Sequence, residues 1–219
     1  MRDPLRPQSN KTSESPWKHW YTTKKAPEPD TEVFLDYLGH GGRLRILDLG
    51  CGAGRHIAFL SSKGHQLYGV DPYPSILEEV ASHGRALGFK LGLAAWAPPA
   101  GLPFRDRSFD AVVATRSIHH GFLRTVRFTF NETRRVMTEK GLLLLQVPSY
   151  EQFVQTYSRA VDWKEPGTLV AAWGAEKGVP HHYFTRGELE EMLSDFETIK
   201  LHGPSDHYGG YCVIARKTR

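Results

Sequence analysis

The residues best placed to do chemistry are Asp48 and the three glycines that follow it at alternate positions, Gly50, Gly52 and Gly54. Glycines so spaced let the backbone turn sharply and approach a ligand with no Cβ in the way. A helical pattern starts at Arg55, so free N–H groups and the positive end of a helix dipole face the same ligand. This is the chemistry of a cofactor turn. Asp71 stands 21 residues after Gly50, at the end of a second apolar run and just before Pro72. An acid there can hydrogen-bond both ribose hydroxyls of an adenosine cofactor, or it can cap the next helix. Two histidine pairs, His119-His120 and His181-His182, are candidates to accept a proton, because histidine as a residue type is suited to that role near neutral pH; the alternative is hydrogen bonding and packing. A metal site built from them with His207 is a further option. The chain lacks the short ligand spacings that make such sites recognisable, so no metal is expected. Arg55 and Arg116 could hold a carboxylate by charge-assisted bonds, with surface solvation the alternative for Arg55.

These groups need elements to position them. Leu44 to Leu49 is too short for a helix and reads as a buried parallel strand. A crossover helix carries Ile57, Ala58, Leu60 and Ser61 and closes at Gly64. Gln66 to Val70 reads as strand two, followed by a helix with Ile76, Leu77, Val80 and Ala81. Phe89 to Ala94 reads as strand three and Ala111 to Thr115 as strand four, with Arg116 to Gly121 leaving its carboxyl edge. Leu123, Val126, Phe130 and Met137 share one helical face, and Glu139-Lys140-Gly141 turns the chain into strand five, Leu142 to Val147. The alternation predicts an open α/β sheet with ligands at its carboxyl edge. Upstream, a helix carrying Val33, Phe34, Tyr37 and Leu38 follows Pro27 and Pro29 and ends at Gly39, Gly41 and Gly42. Residues 148–184 break the alternation with Tyr150, Tyr157, Trp163, Trp173 and Tyr183, and read as a lid or acceptor-binding insertion. Thr185-x-x-Glu188 is a capping box opening a helix with Leu189, Met192 and Leu193. Glu197 to Leu201 and Tyr211 to Ala215 read as a hairpin-like antiparallel edge. At least one histidine of each pair is expected to line a single cavity beneath the lid.

The 219 residues suit one domain, residues 29–219, behind a tail of residues 1–28. Residues 1–16 are polar and expected to be disordered. Trp17, Trp20 and Tyr21 either pack back over the cofactor mouth or form a simple hydrophobic staple. No apolar run is long enough to span a bilayer, and the N-terminus lacks the apolar core of a signal peptide. Only two cysteines occur, one of them Cys51 inside the turn, which fits a reducing cytoplasm better than a disulfide framework. A net charge of +4 and a pI of about 9.0 permit a nucleic-acid partner without requiring one.

Arg55 stands where the dinucleotide fingerprint puts its third glycine. The spacing Asp48-x-Gly50-x-Gly52-x-Gly54 instead resembles motif I of the class I S-adenosylmethionine-dependent methyltransferases. Leu102-Pro103-Phe104 with Ser108-Phe109-Asp110 resembles that family's approach to strand four. Glu176 to Thr185 is similar to a subgroup of small prokaryotic members with a type-11-like methyltransferase domain. The resemblance runs from Val33 to Ala215. It implies a Rossmann-like, seven-stranded, mostly parallel sheet with helices on both faces and an antiparallel last strand. It implies S-adenosylmethionine as cofactor and S-adenosylhomocysteine as product, contacted by Asp48, Leu49, Gly50, Cys51, Gly52, Gly54, Asp71 and Pro72, with Arg116 on the methionine carboxylate. The family's acid after strand three is missing here; Ala95-Trp96-Ala97-Pro98 leaves the adenine contact to Trp96 or backbone groups. Arg116-Ser117-Ile118-His119 also stands where nucleobase-amino methyltransferases often carry Asn/Asp-Pro-Pro-Tyr, which argues against that chemistry. The aromatic insertion suits an enclosed, mostly apolar pocket for a small-molecule acceptor. A tRNA methyltransferase of the wobble-uridine type and a non-catalytic cofactor-binding protein are the alternatives; no membrane partner is expected.

Overall fold

The computed structural model describes residues 27, 29–39, 42–156, 163–172, 176–203 and 210–218. The expectations for residues 1–26, including Trp17, Trp20 and Tyr21, and those for Gly41, Tyr157, Trp173 and His207 lie outside the described residues.

Helix α1 (Pro29–Leu38) opens on its proline and leads to β1 (Arg45–Leu49). The chain then alternates through α2 (Arg55–Ser62), β2 (Gln66–Asp71), α3 (Pro74–Ala86), β3 (Gly92–Ala95) and β4 (Phe109–Thr115). Next come α4 (Leu123–Val136), β5 (Met137–Pro148) and α5 (Tyr150–Thr156). Three short strands follow, β6 (Trp163–Glu165), β7 (Thr168–Val170) and β8 (Pro180–His182), and then α6 (Arg186–Met192), β9 (Phe196–His202) and β10 (Gly210–Lys217). The main sheet has seven strands in the order β3-β2-β1-β4-β5-β10-β9. Its first five are parallel, and β10 is antiparallel to both neighbours. Strands β6-β7-β8 form a separate antiparallel sheet within the insertion.

Period-two patterning buries both faces of the main sheet, as covered parallel sheets require. Leu47, Leu49, Val112, Ala114, Leu143, Leu145 and Val213 face a core closed by Val126 and Phe130 of α4 and Leu189 of α6. Ile46, Ala111, Val113, Leu144 and Ile214 face the other core, closed by Phe34 of α1, Ile57 and Leu60 of α2 and Val80 of α3. No described helix is long and apolar enough to cross a membrane.

Two boundaries differ from the sequence reading. Phe89 belongs to the end of α3: its N–H reaches Gly84 O at 2.8 Å, Gly88 N–H reaches Arg85 O at 3.1 Å, and Gly88 is left-handed. This is a Schellman end with an apolar residue just past it, so β3 starts only at Gly92. Strand β5 begins at Met137, with the turn residues held inside it as an irregularity between Met137 and Leu142. The expected antiparallel edge is present: β10 inserts between β5 and β9, and β9 takes the outermost place. The continuous apolar run from Tyr211 to Ala215 suits that interior place, whereas β9 alternates polar and apolar residues.

Candidate active site

The strand order reverses between β1 and β4, and the glycine turn leaves β1 at that reversal, where open α/β sheets bind ligands. Gly50 and Cys51 N–H both reach Val70 O, at 2.8 and 3.0 Å, tying the turn to β2. Gly50 has φ 73°, and a Cβ built there would meet Ser117 Cβ at 2.5 Å, so the backbone after β1 lies directly against the segment after β4. Gly54 caps α2 with φ 76°, its would-be Cβ 3.0 Å from Val80. The cradle therefore needs glycine on steric grounds, and it is the kind of surface a nucleotide-like cofactor lies against.

Asp71 closes the other side. It is 4% exposed, its Oδ2 accepts from Gly52 N–H at 3.1 Å, and its Oδ1 accepts from Tyr73 N–H at 3.1 Å. Burial pushes its carboxyl up to about 6 against the pull of those two bonds, and the nearby Asp48 charge adds to the rise. Asp71 thus both holds the glycine turn and fixes the residue before α3. Asp48 is buried beneath the turn with His56 Nδ1 at 3.8 Å, a neighbour the sequence reading missed. Leu49 and Cys51 send their side chains into the two cores, so only their backbones face the turn. Burial, helped by Asp48 and Asp71, holds the Cys51 thiol well above its usual range, which leaves it an inert packing group. Pro72 is exposed. Trp96 commits its indole N–H to Ala100 O at 2.7 Å and its backbone N–H to Asp71 O, leaving the ring itself for stacking. Arg116 leaves β4 with φ 53°, uncommon for a residue with a side chain and of a kind that clusters at functional sites.

The insertion is stitched to the carboxyl edge of β4 and β5. Gly121 N–H reaches Pro180 O and His182 N–H reaches His119 O, both at 2.9 Å; Phe184 N–H reaches Pro148 O at 3.0 Å. This pairing brings His119, His120 and His181 together, with ring centroids 4.0 to 5.7 Å apart. Burial holds His119 well below its ordinary range and takes His120 down to about 4, with neighbouring histidines adding to both shifts. His182 is buried apart from them, with its ring against Phe184.

An open cleft of about 690 Å³ lies under the insertion. Leu123, Tyr150, Trp163, Tyr183, Glu165 and Glu188 are among its walls, and Phe153 packs on Trp163 and Tyr183 behind it. Its two carboxylates are joined by a polar chain. Glu188 Oε2 accepts from His182 Nε2 at 2.9 Å, His182 Nδ1 lies 2.7 Å from Thr168 Oγ1, and Thr168 Oγ1 donates to Glu165 Oε1 at 2.9 Å. Glu165 also accepts from Leu123 N–H, the first residue of α4. Phe122 offers that helix no side-chain cap, so a carboxylate from the insertion supplies one. Thr168 has one hydroxyl proton and two acceptors in reach, which lets the chain shift a proton between cleft and His182. The capping box is only half formed: Thr185 Oγ1 accepts from Glu188 N–H at 3.2 Å, while the Glu188 carboxylate turns to His182. Glu165, Thr168 and Glu188 were not among the sequence candidates for catalysis.

Residues 47–145 match the family described as methyltransferase domain. A putative methyltransferase of Encephalitozoon cuniculi is 30% identical over 178 residues, covering 80% of this chain and 74% of that protein. This chain belongs to the class I S-adenosylmethionine-dependent methyltransferases. The cofactor of the family is S-adenosylmethionine, and the glycine cradle and Asp71 fit it. A probable tRNA methyltransferase 9B of Bos taurus is 29% identical over 153 residues, which are 63% of this chain and 32% of that protein; the chain spans about a third of that relative's length. Among solved structures, a Methanosarcina mazei methyltransferase superposes with TM-score 0.72 at 23% identity, covering 88% of this chain and 98% of that one. A Burkholderia thailandensis 1,6-didemethyltoxoflavin-N1-methyltransferase, solved with that compound and S-adenosylhomocysteine, gives 0.67 at 22% identity, covering 92% and 82%. At these identities the structural likenesses speak for the fold.

Proposed function

We propose that this chain, acting through residues 29–219 with the insertion at 148–184 as its lid, methylates a small-molecule acceptor held in the cleft beneath that lid. The observation that carries this reading is the cleft itself, aromatic-walled and bordered by Glu165 and Glu188. Three flat rings favour a planar or cationic guest, and two carboxylates disfavour a phosphate backbone. The cofactor when bound supplies an electrophilic methyl on a sulfonium, a centre that carries its own leaving group. The residues then have mainly to position. In this reading Gly50, Gly52 and Gly54 give backbone access, and Asp71 takes the ribose hydroxyls. Asp48 supports the turn, Leu49 and Cys51 contribute backbone, Pro72 borders the adenosine, and Arg116 meets the methionine carboxylate. The acceptor's nucleophilic atom forms its bond to the methyl carbon while the carbon–sulfur bond breaks toward sulfur. A proton released by the acceptor passes to Glu165 or Glu188 and is shared with His182 through Thr168. The two cysteines, both free and buried, suit the reducing cytoplasm.

RNA is the second reading, favoured by the Bos taurus relative's name and the net positive charge. Methyl-labelled S-adenosylmethionine incubated with the protein and a cell extract, then separated into small molecules, RNA and protein, tests the choice. The proposal expects label among small molecules. Label chiefly in RNA, falling steeply between low and moderate salt, overturns it.

A further inference from the structure

Three imidazoles from two distant parts of the chain meet in one buried spot. His119 and His120 follow β4, and His181 arrives on β8. One ring nitrogen of each lies within 4.8 Å of one from each of the others. His119 and His181 are 8% and 7% exposed; the buried His119 Nδ1 makes no hydrogen bond, and His181 Nε2 faces the Glu176 carboxylate. An orphaned buried imidazole nitrogen beside two other imidazoles and a carboxylate lacks an electrophilic partner. The far sides of two rings are already fixed: His120 Nδ1 and His181 Nδ1 donate to the carbonyls of Ser117 and Val179, each at 3.1 Å. Metal-ligating histidines are oriented in this way, with the second ring N–H on a carbonyl. Glu176 brings a carboxylate oxygen to 3.1 Å from His181 Nε2.

We propose that His119, His120 and His181, with Glu176 as fourth ligand, bind a divalent cation of the zinc class that clips the lid strand β8 to the loop after β4. Imidazole nitrogen suits zinc, and four protein ligands make the closed arrangement of a structural site. Nitrogens around tetrahedral zinc stand about 3.3 Å apart, so closure from 4.8 Å asks each ring to tilt by about 1 Å. The clip would order the walls of the cleft before an acceptor arrives. Asp30, His202 and Cys212 also converge, but His202 Nε2 already donates to Asp30 Oδ1 at 2.9 Å, so that group carries no orphaned nitrogen to explain.

The untagged full chain, stripped with a chelator, is titrated with Co²⁺ and then Zn²⁺. The proposal expects intense four-coordinate d–d absorption saturating at one equivalent, no thiolate charge-transfer band, displacement by Zn²⁺, and a rise in Tm with Zn²⁺. His119→Gln with His181→Gln should abolish the band and weaken Zn²⁺ more than a hundredfold, with S-adenosylhomocysteine binding reporting that the sheet is folded. Should that variant not bind S-adenosylhomocysteine, Glu176→Gln decides: the expectation is a shifted band and about tenfold weaker Zn²⁺. Overturning results are no stoichiometric Co²⁺ binding by the wild type, a thiolate band pointing to Cys212, or the wild-type spectrum in whichever variant decides.

Discussion

With Asp71 on the ribose hydroxyls as proposed, cofactor affinity should depend on pH around 6, a range in which an exposed, already ionised carboxylate would give no dependence. In the cofactor-free protein, burial holds its carboxyl at about 6 even though Gly52 and Tyr73 N–H both donate to it. In the proposed complex the ribose hydroxyls donate to the ionised form, so binding should draw the proton off. The sign follows: affinity is full above about pH 7 and weakens as pH falls through 6. For one group titrating at 6, the dissociation constant of S-adenosylhomocysteine rises about tenfold from pH 7 to pH 5, or ~1.4 kcal/mol. The same raised carboxyl acts on folding with its own sign. The folded state binds the proton more tightly than the unfolded chain, so stability without cofactor falls as pH rises from about 4 to about 6, by at most ~3 kcal/mol. Titration calorimetry from pH 5 to 8, in two buffers of different ionisation enthalpy, reads both the constant and the proton released. Asp71→Asn should bind about 1.5–3 kcal/mol more weakly at pH 7, the scale of hydrogen bonds to a charged group, and should show no slope around 6. A flat wild-type profile, or the wild-type slope retained in Asp71→Asn, refutes the reasoning.

Gly50→Ala must place a Cβ 2.5 Å from Ser117 Cβ at φ 73°; it should lose about 1–3 kcal/mol of stability and most cofactor affinity, and an unchanged melting curve with unchanged affinity would contradict the contact. Glu165→Gln should lower turnover about a hundredfold if the cleft carboxylates take the acceptor's proton, while S-adenosylhomocysteine binds as before; equal turnover would remove the polar chain from catalysis. Arg135 donates to Phe104 O and Leu102 O and pairs with Glu132 and Asp106, so Arg135→Ala should cost ~1–3 kcal/mol in urea titration, and a midpoint unmoved by the change would show the fork to be idle.

The cofactor half of the site was legible because it is local. Strand, glycine turn, helix and the acid on the next strand lie within 24 residues, Asp48 to Asp71, and each carries its own backbone requirement. The acceptor half is not local. Glu165 reaches Leu123 across 42 residues, and His120 meets His181 only because β8 pairs with the loop after β4. Sequence patterning marked the insertion as aromatic and the histidines as candidates, but it had no means of bringing three of them together and sending His182 to Glu188. The capping box at Thr185 illustrates the limit: the spacing was right, and tertiary contact diverted its glutamate. Phe89 was misassigned to a strand because an apolar residue after a Schellman glycine looks like a strand's first residue. The antiparallel edge was legible in the last two strands, and the unbroken apolar run of β10 is the signal that it is the inner of the two.

The most direct test of the central claim is calorimetric titration of the full chain with S-adenosylhomocysteine and, separately, NAD. The glycine spacing and the Asp71 contacts lead to one-to-one binding of S-adenosylhomocysteine and no heat from NAD. Tight NAD binding with no S-adenosylhomocysteine signal would contradict the account.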